Sequence, residues 1–133
     1  MDGYERLSDI HKALGHPVRL QILEVLRVEG EACVCHLEAA LGQRQAYISQ
    51  QLMRLRDAGL VIDRRDGLNV FYSLADDAVG ALLDAARDAG ESLAGEPLAF
   101  ADPDDLHPAV CSCPKCAEKQ AQTAAALSES ARG

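Results

Sequence analysis

Residues 33–60 read CVCHLEAALGQRQAYISQQLMRLRDAGL. Two helical patterns meet across Leu41-Gly42-Gln43. In the second, Ile48, Leu52 and Leu55 recur at the spacing that puts them on one helix face, and Leu60 closes the segment. The other face carries Ala46, Tyr47, Ser49, Gln50, Met53 and Arg54, small or hydrogen-bonding side chains with one cation. Gly42 suits the turn of a helix-turn-helix, because a residue without Cβ enters the left-handed region cheaply. The second helix is therefore a candidate for reading double-stranded DNA.

The flanks extend this reading. Upstream, Asp2 can cap a helix over about residues 4–14, where Leu7, Ile10 and Leu14 are spaced by three and four. Gly15-His16-Pro17 ends it and begins another, with His16 at the cap and Pro17 at the first helical position. Val18, Ile22, Val25 and Leu26 with Leu20 and Leu23 make this second helix apolar nearly all round, so it should be central and end at Gly30. Downstream the period changes to two: Leu60 and Ile62, then Leu68, Val70, Tyr72 and Leu74, surround Asp66-Gly67. A two-stranded hairpin with Arg64 and Arg65 near its tip, directly after a reading helix, has the layout of a wing that touches phosphates. Asp76 or Asp77 then caps a helix of about residues 77–94 with an apolar stripe of Val79, Leu82, Leu83, Ala86 and Leu93. The expected architecture is mainly α with a small β-hairpin, a winged helix-turn-helix. Surplus apolar surface on the two terminal helices implies a homodimer.

The chain of 133 residues, 48% hydrophobic, suffices for one core. Residues 1–94 should form the DNA-binding and dimerisation domain. Residues 95–133 should be an acidic, proline-containing linker, a loop or mobile segment, and a cysteine-bearing tail whose alanine-rich stretch 115–128 can form a weak helix. No apolar run approaches the roughly 20 residues that span a bilayer, and the acidic start MDGYERLSD is unlike a signal peptide, so a cytoplasmic protein without a membrane partner is expected. A net charge of −8 argues against a nucleic-acid partner until its distribution is read. Residues 76–105 hold nine acids and one base, and so carry all of it. Residues 43–72 hold five arginines against three aspartates, a modest positive footprint on the candidate reading surface.

Five cysteines fall in two clusters, Cys33 and Cys35 at the mouth of the first motif helix, and Cys111, Cys113 and Cys116 in the tail. In a reducing compartment such clusters are ligands or reactive thiols more often than disulfides. Residues two apart lie about 200° apart on a regular helix, so Cys33 and Cys35 can share one ion only if this helix start is frayed or extended. On that geometry, ion binding deforms the segment that positions the reading helix. A helix amino terminus also favours the thiolate. Trivalent arsenic and antimony favour three thiolates, and cadmium, lead and zinc take three or four thiolate or imidazole ligands. Pro114 keeps the tail from being helical, so its thiols can converge with the first pair, and the linker of about residues 95–110, about fifteen residues, reaches up to roughly 50 Å as a tether. His36 beside the thiols can ligate or cap, His16 caps, His11 is a surface residue, and His107 lies in the linker.

Taken together, these segments resemble the ArsR/SmtB family of metal-sensing winged-helix repressors. LGHPVRLQILEVL at 14–26 resembles the family's core-helix entry, and EACVCHL at 31–37 its cysteine box, with Ala32 and His36 in place of the usual Leu and Asp. Ile48-Ser49 and the Leu52 to Leu60 pattern resemble its reading helix, with Gln51 where many members have His; Arg65-Asp66-Gly67 and Val70-Phe71-Tyr72 resemble its wing. The resemblance covers about residues 5–93. It implies a homodimeric repressor that binds operator DNA and releases it when As(III) or another thiophilic ion binds. Cys33 and Cys35 are the expected ligands within the shared region, and Cys111, Cys113 and Cys116, which lie beyond it, join them on the chemistry of their thiols alone. The resemblance places DNA contacts at Arg44, Gln45, Tyr47, Ser49, Gln50, Gln51, Arg54, Arg64 and Arg65. A fifth-helix metal site is not expected, because residues 77–94 contain no His. Two other readings remain: a thiol redox or sulfur sensor on the same fold, and an enzyme of thiol chemistry, disfavoured because no phosphate-cradling loop or nucleophile with a base accompanies the thiols.

Overall fold

The computed structural model describes residues 2–100. Its elements run α1 (Gly3–Leu14), α2 (Pro17–Glu29), β1 (Ala32–Cys33), α3 (Val34–Leu41), α4 (Gln45–Asp57), β2 (Val61–Asp66), β3 (Asn69–Leu74) and α5 (Asp77–Ala94). Local chemistry sets the boundaries. Asp2 closes a capping box on α1, its carboxylate accepting from Glu5 N at 2.8 Å while the Glu5 carboxylate accepts from Asp2 N. His16 caps α2 by accepting from Val18 N, with Pro17 at the first turn. Gly42 ends α3 at φ 63°, the left-handed conformation expected of the motif's turn.

The core lies where α2, α3, α4 and the root of the wing meet, and Ile22, Leu23, Leu26, Leu37, Ile48, Leu52, Leu55 and Val61 are its fully buried side chains. On α4 this follows from the spacing: Ile48, Leu52 and Leu55 share the inward face, so apolar burial along its length holds the helix against the core. The central placement of α2 holds too, with Leu20 and Val28 on its open side.

Two expectations are corrected. The wing is a three-stranded antiparallel sheet in the order β1-β3-β2, not a two-stranded hairpin. Ala32 and Cys33 pair with Tyr72 and Phe71, a strand too short to leave any period in the sequence. The hairpin turn also falls one residue later than Asp66-Gly67: Asp66 pairs with Asn69, so Gly67 and Leu68 make the turn, with positive φ at Gly67 alone.

After α5 the described chain has no regular secondary structure. Up to Phe100 this irregular segment packs back along α5: Arg87 stacks 4.0 Å from the Phe100 ring, and Leu98 lies against Gly90. With Leu20, Val25, Leu83 and Ala86 they line an apolar groove of about 370 Å³ between α2 and α5. Ion pairs Arg27–Asp84 (2.6 Å) and Arg87–Glu24 (3.5 Å) tie the two helices. The bond to Asp84 holds the Arg27 guanidinium above its ordinary pKa. No helix among the described residues is long and apolar enough to cross a membrane.

Candidate nucleic-acid interface and thiol pair

Helix α4 presents a polar face because its apolar positions are used up inward. At about 100° per residue, Ile48, Leu52 and Leu55 span a narrow arc, and Gln50, Ala46, Met53 and Arg54 fall opposite it. All four are exposed, as are Arg44 at the cap position and Gln45 in the first turn. Ser49 is half-buried at the edge of this face.

Two expected contacts sit differently. Gln51 lies about 60° from Ile48 on the inward arc, so it is buried rather than presented to DNA. Its Oε1 accepts from Arg19 Nη1 at 2.9 Å. Tyr47, on the flank, is half-buried, packs against the core, and turns its hydroxyl to His16 Nε2 at 3.4 Å.

The wing carries its arginines on opposite faces, as the alternation of a strand requires. Arg64 lies over the buried Phe71, its register partner, with the guanidinium 5.0 Å from the ring. It also meets the Glu31 carboxylate through Nη2 at 2.7 Å and Nε at 3.4 Å. Glu31 keeps the exposed Arg64 guanidinium above its ordinary pKa, so it remains cationic throughout the neutral range. Arg65 is exposed on the other face. Sequence reasoning missed Glu31 and Arg19, because a carboxylate next to a strand and an arginine within a core helix carry no periodic signal.

Cys33 and Cys35 do converge: their sulfurs are 2.7 Å apart. The helix start is extended, the condition on which the two thiols are expected to share an ion. Cys33 is the residue before the helix, extended at φ −86° and ψ 166°, and its Sγ accepts from His36 N at 3.4 Å as a cap. The 200° rule applies only where both residues are helical, and Cys33 is not. Its backbone is simultaneously in β1, opposite Phe71. Cys33 is buried and Cys35 exposed, so the pair is reached from one side. His36 is buried beside them. Among the described residues no group of three or more His, Cys, Asp or Glu is placed to hold a metal ion. Cys111, Cys113 and Cys116, with His107 and the 115–128 stretch, lie outside the described residues.

The geometry is a winged helix-turn-helix with a dithiol at the entrance to its first motif helix. Residues 16–63, α2 to the first half of β2, match a family model described as bacterial regulatory protein, arsR family. The chain is 46% identical over 74 residues to a biofilm growth-associated repressor of Agrobacterium fabrum, covering 56% of this chain and 62% of that protein. It is 38% identical over 85 residues to the arsenic resistance transcriptional regulator ArsR1 of Pseudomonas putida, covering 62% of this chain and 66% of that one. In both cases the chain spans slightly less than two thirds of the relative. Among solved structures it is similar to the homodimeric winged helix-turn-helix DNA-binding domain of a possible ArsR-family transcriptional regulator from Mycobacterium bovis. That match has 31% identity and a TM-score of 0.63, and covers 73% of this chain and 90% of the other.

Proposed function

This chain belongs to the arsR family of bacterial regulatory proteins, and on that premise we propose that it is a homodimeric repressor whose DNA binding is relieved by As(III) or Sb(III). As a family member it is a DNA-binding transcriptional regulator, not an enzyme. The observation that carries the effector reading is the pair of thiols 2.7 Å apart at the cap of α3.

Arg44, Gln45, Ser49, Gln50 and Arg54 meet the major groove or its edges, and Arg64 and Arg65 meet phosphates beside it. Strand β1, where Cys33 pairs with Phe71, and the α3 cap share Cys33, so whatever holds its sulfur acts on both the wing and the helix-turn-helix. A trivalent arsenic or antimony ion supplies three positions for thiolate donors. Two come from Cys33 and Cys35; the third is assigned to Cys111, Cys113 or Cys116. A sulfur given to an ion no longer caps His36 N, and a strand residue drawn outward loosens its pairing. The ion and the DNA thereby favour different shapes of one segment, which is the requirement for coupling.

The test uses the reduced full chain and a duplex that it enriches from a random-sequence pool. Arsenite should displace the wild type and leave the Cys33→Ser/Cys35→Ser variant bound. Equal displacement of both, or none of the wild type, rejects the reading. The sulfur contact supports a second one: the pair reduces a small disulfide to two thiols while itself becoming a disulfide. Release by oxidised glutathione without metalloid would favour that reading.

A further inference from the structure

One guanidinium joins three helices. Arg19, half-buried on α2, donates from Nε to the Ala13 carbonyl and from Nη2 to the Lys12 carbonyl at 3.0 Å, both in the last turn of α1. The last carbonyls of a helix and the negative end of its dipole make that turn a natural seat for a cation, although the Lys12 carbonyl also accepts from Gly15 N. The remaining arm, Nη1, reaches Gln51 Oε1 at 2.9 Å. Gln51 is the one polar residue on the buried face of α4, only 7% exposed.

Ile48, Leu52 and Leu55 hold α4 against the core by contacts without direction, which tolerate small rotations of the helix about its axis. A hydrogen bond is directional, and an amide shut away from water loses free energy when its partner is missing. We propose that Arg19 is a positioning residue: through Gln51 it sets the rotation of α4, and with it which side chains α4 turns to DNA. The proposal rests on the reading of α4 as the DNA-reading helix. Arg19 touches no base. It orders a face on which Gln50, Arg54 and Ser49 sit at fixed angles from Gln51, so a slip of α4 misaims all of them together. The planar fork explains the residue type, since a lysine ammonium on a flexible stem cannot serve two carbonyls and an amide in one plane.

The experiment compares the affinity of each full-length variant for a duplex enriched from a random pool by the wild type with its affinity for an unrelated duplex of equal length. The ratio is unaffected by any unfolded fraction, because both duplexes meet the same active protein. Gln51→Met fills the space without an acceptor, and Arg19→Lys keeps the charge without the fork. Each should lower the ratio about tenfold, the size expected for one charge-assisted hydrogen bond. The double variant should lose no more than either single one, and Gln51→Glu, which keeps an acceptor, should stay near wild type. Singles that keep the ratio within about twofold, or losses that add in full, overturn the proposal. If the wild type enriches no sequence, the DNA-reading function itself falls, a result distinct from either.

Discussion

At Cys33 one sulfur both caps a helix and is assigned to an effector, and the two duties separate by substitution. Ser is a strong cap and a poor ligand for soft ions. Cys33→Ser should therefore keep the stability of the fold in urea denaturation while abolishing the arsenite response. Cys33→Ala, lacking any acceptor for His36 N, should cost about 1 kcal/mol in the same measurement. Gly42 makes a parallel case. At φ 63° a Cβ meets no neighbour, so Gly42→Ala should cost about 1 kcal/mol through backbone strain alone.

Among the elements, the wing shows why a residue's charge is not its contribution. Arg65 is exposed, whereas Arg64 is shared with Glu31 and rests on Phe71. Arg65→Ala should reduce the salt dependence of DNA binding by about one counterion. Arg64→Ala should reduce it by less, because a cation already neutralised by a carboxylate releases fewer ions from DNA. Titrations at several salt concentrations would distinguish the two, and equal slopes would refute the role given to Glu31. In α5, Asp76 accepts from Ala78 N at 2.8 Å, and Asp76→Ala should destabilise the chain by about 1 kcal/mol in thermal denaturation.

For the whole molecule the question is what covers the terminal helices. Tyr4, Leu7 and Leu93 are 87%, 54% and 89% exposed, whereas Leu83 on the same α5 stripe is in the core. The proposed dimer thus assigns different outcomes to neighbouring leucines. Leu93→Asp with Leu7→Asp should yield folded monomers in sedimentation, while Leu83→Asp should unfold the chain, since an unpaired charge would be buried. A double variant that sediments like wild type would show that this surface does not join two copies.

The order of the five helices and of the β2–β3 hairpin, the helix caps at Asp2 and His16, and the motif turn at Gly42 follow from the amino-acid sequence alone. Each depends on residues within a few positions of one another, where periodicity and capping chemistry act. Contacts between segments far apart in the chain set the rest. Cys33 became a cap facing Cys35 because β1 pairs with β3, some forty residues on. Helix spacing puts Gln51 on the inward arc, but the partner that satisfies its amide there is Arg19, 32 positions earlier. Arg64 was drawn to Glu31 across the sheet, and Leu98 and Phe100 turned back onto α5. A polar residue's spacing does not reveal whether water or another side chain will satisfy it, because that choice is made when distant segments pack.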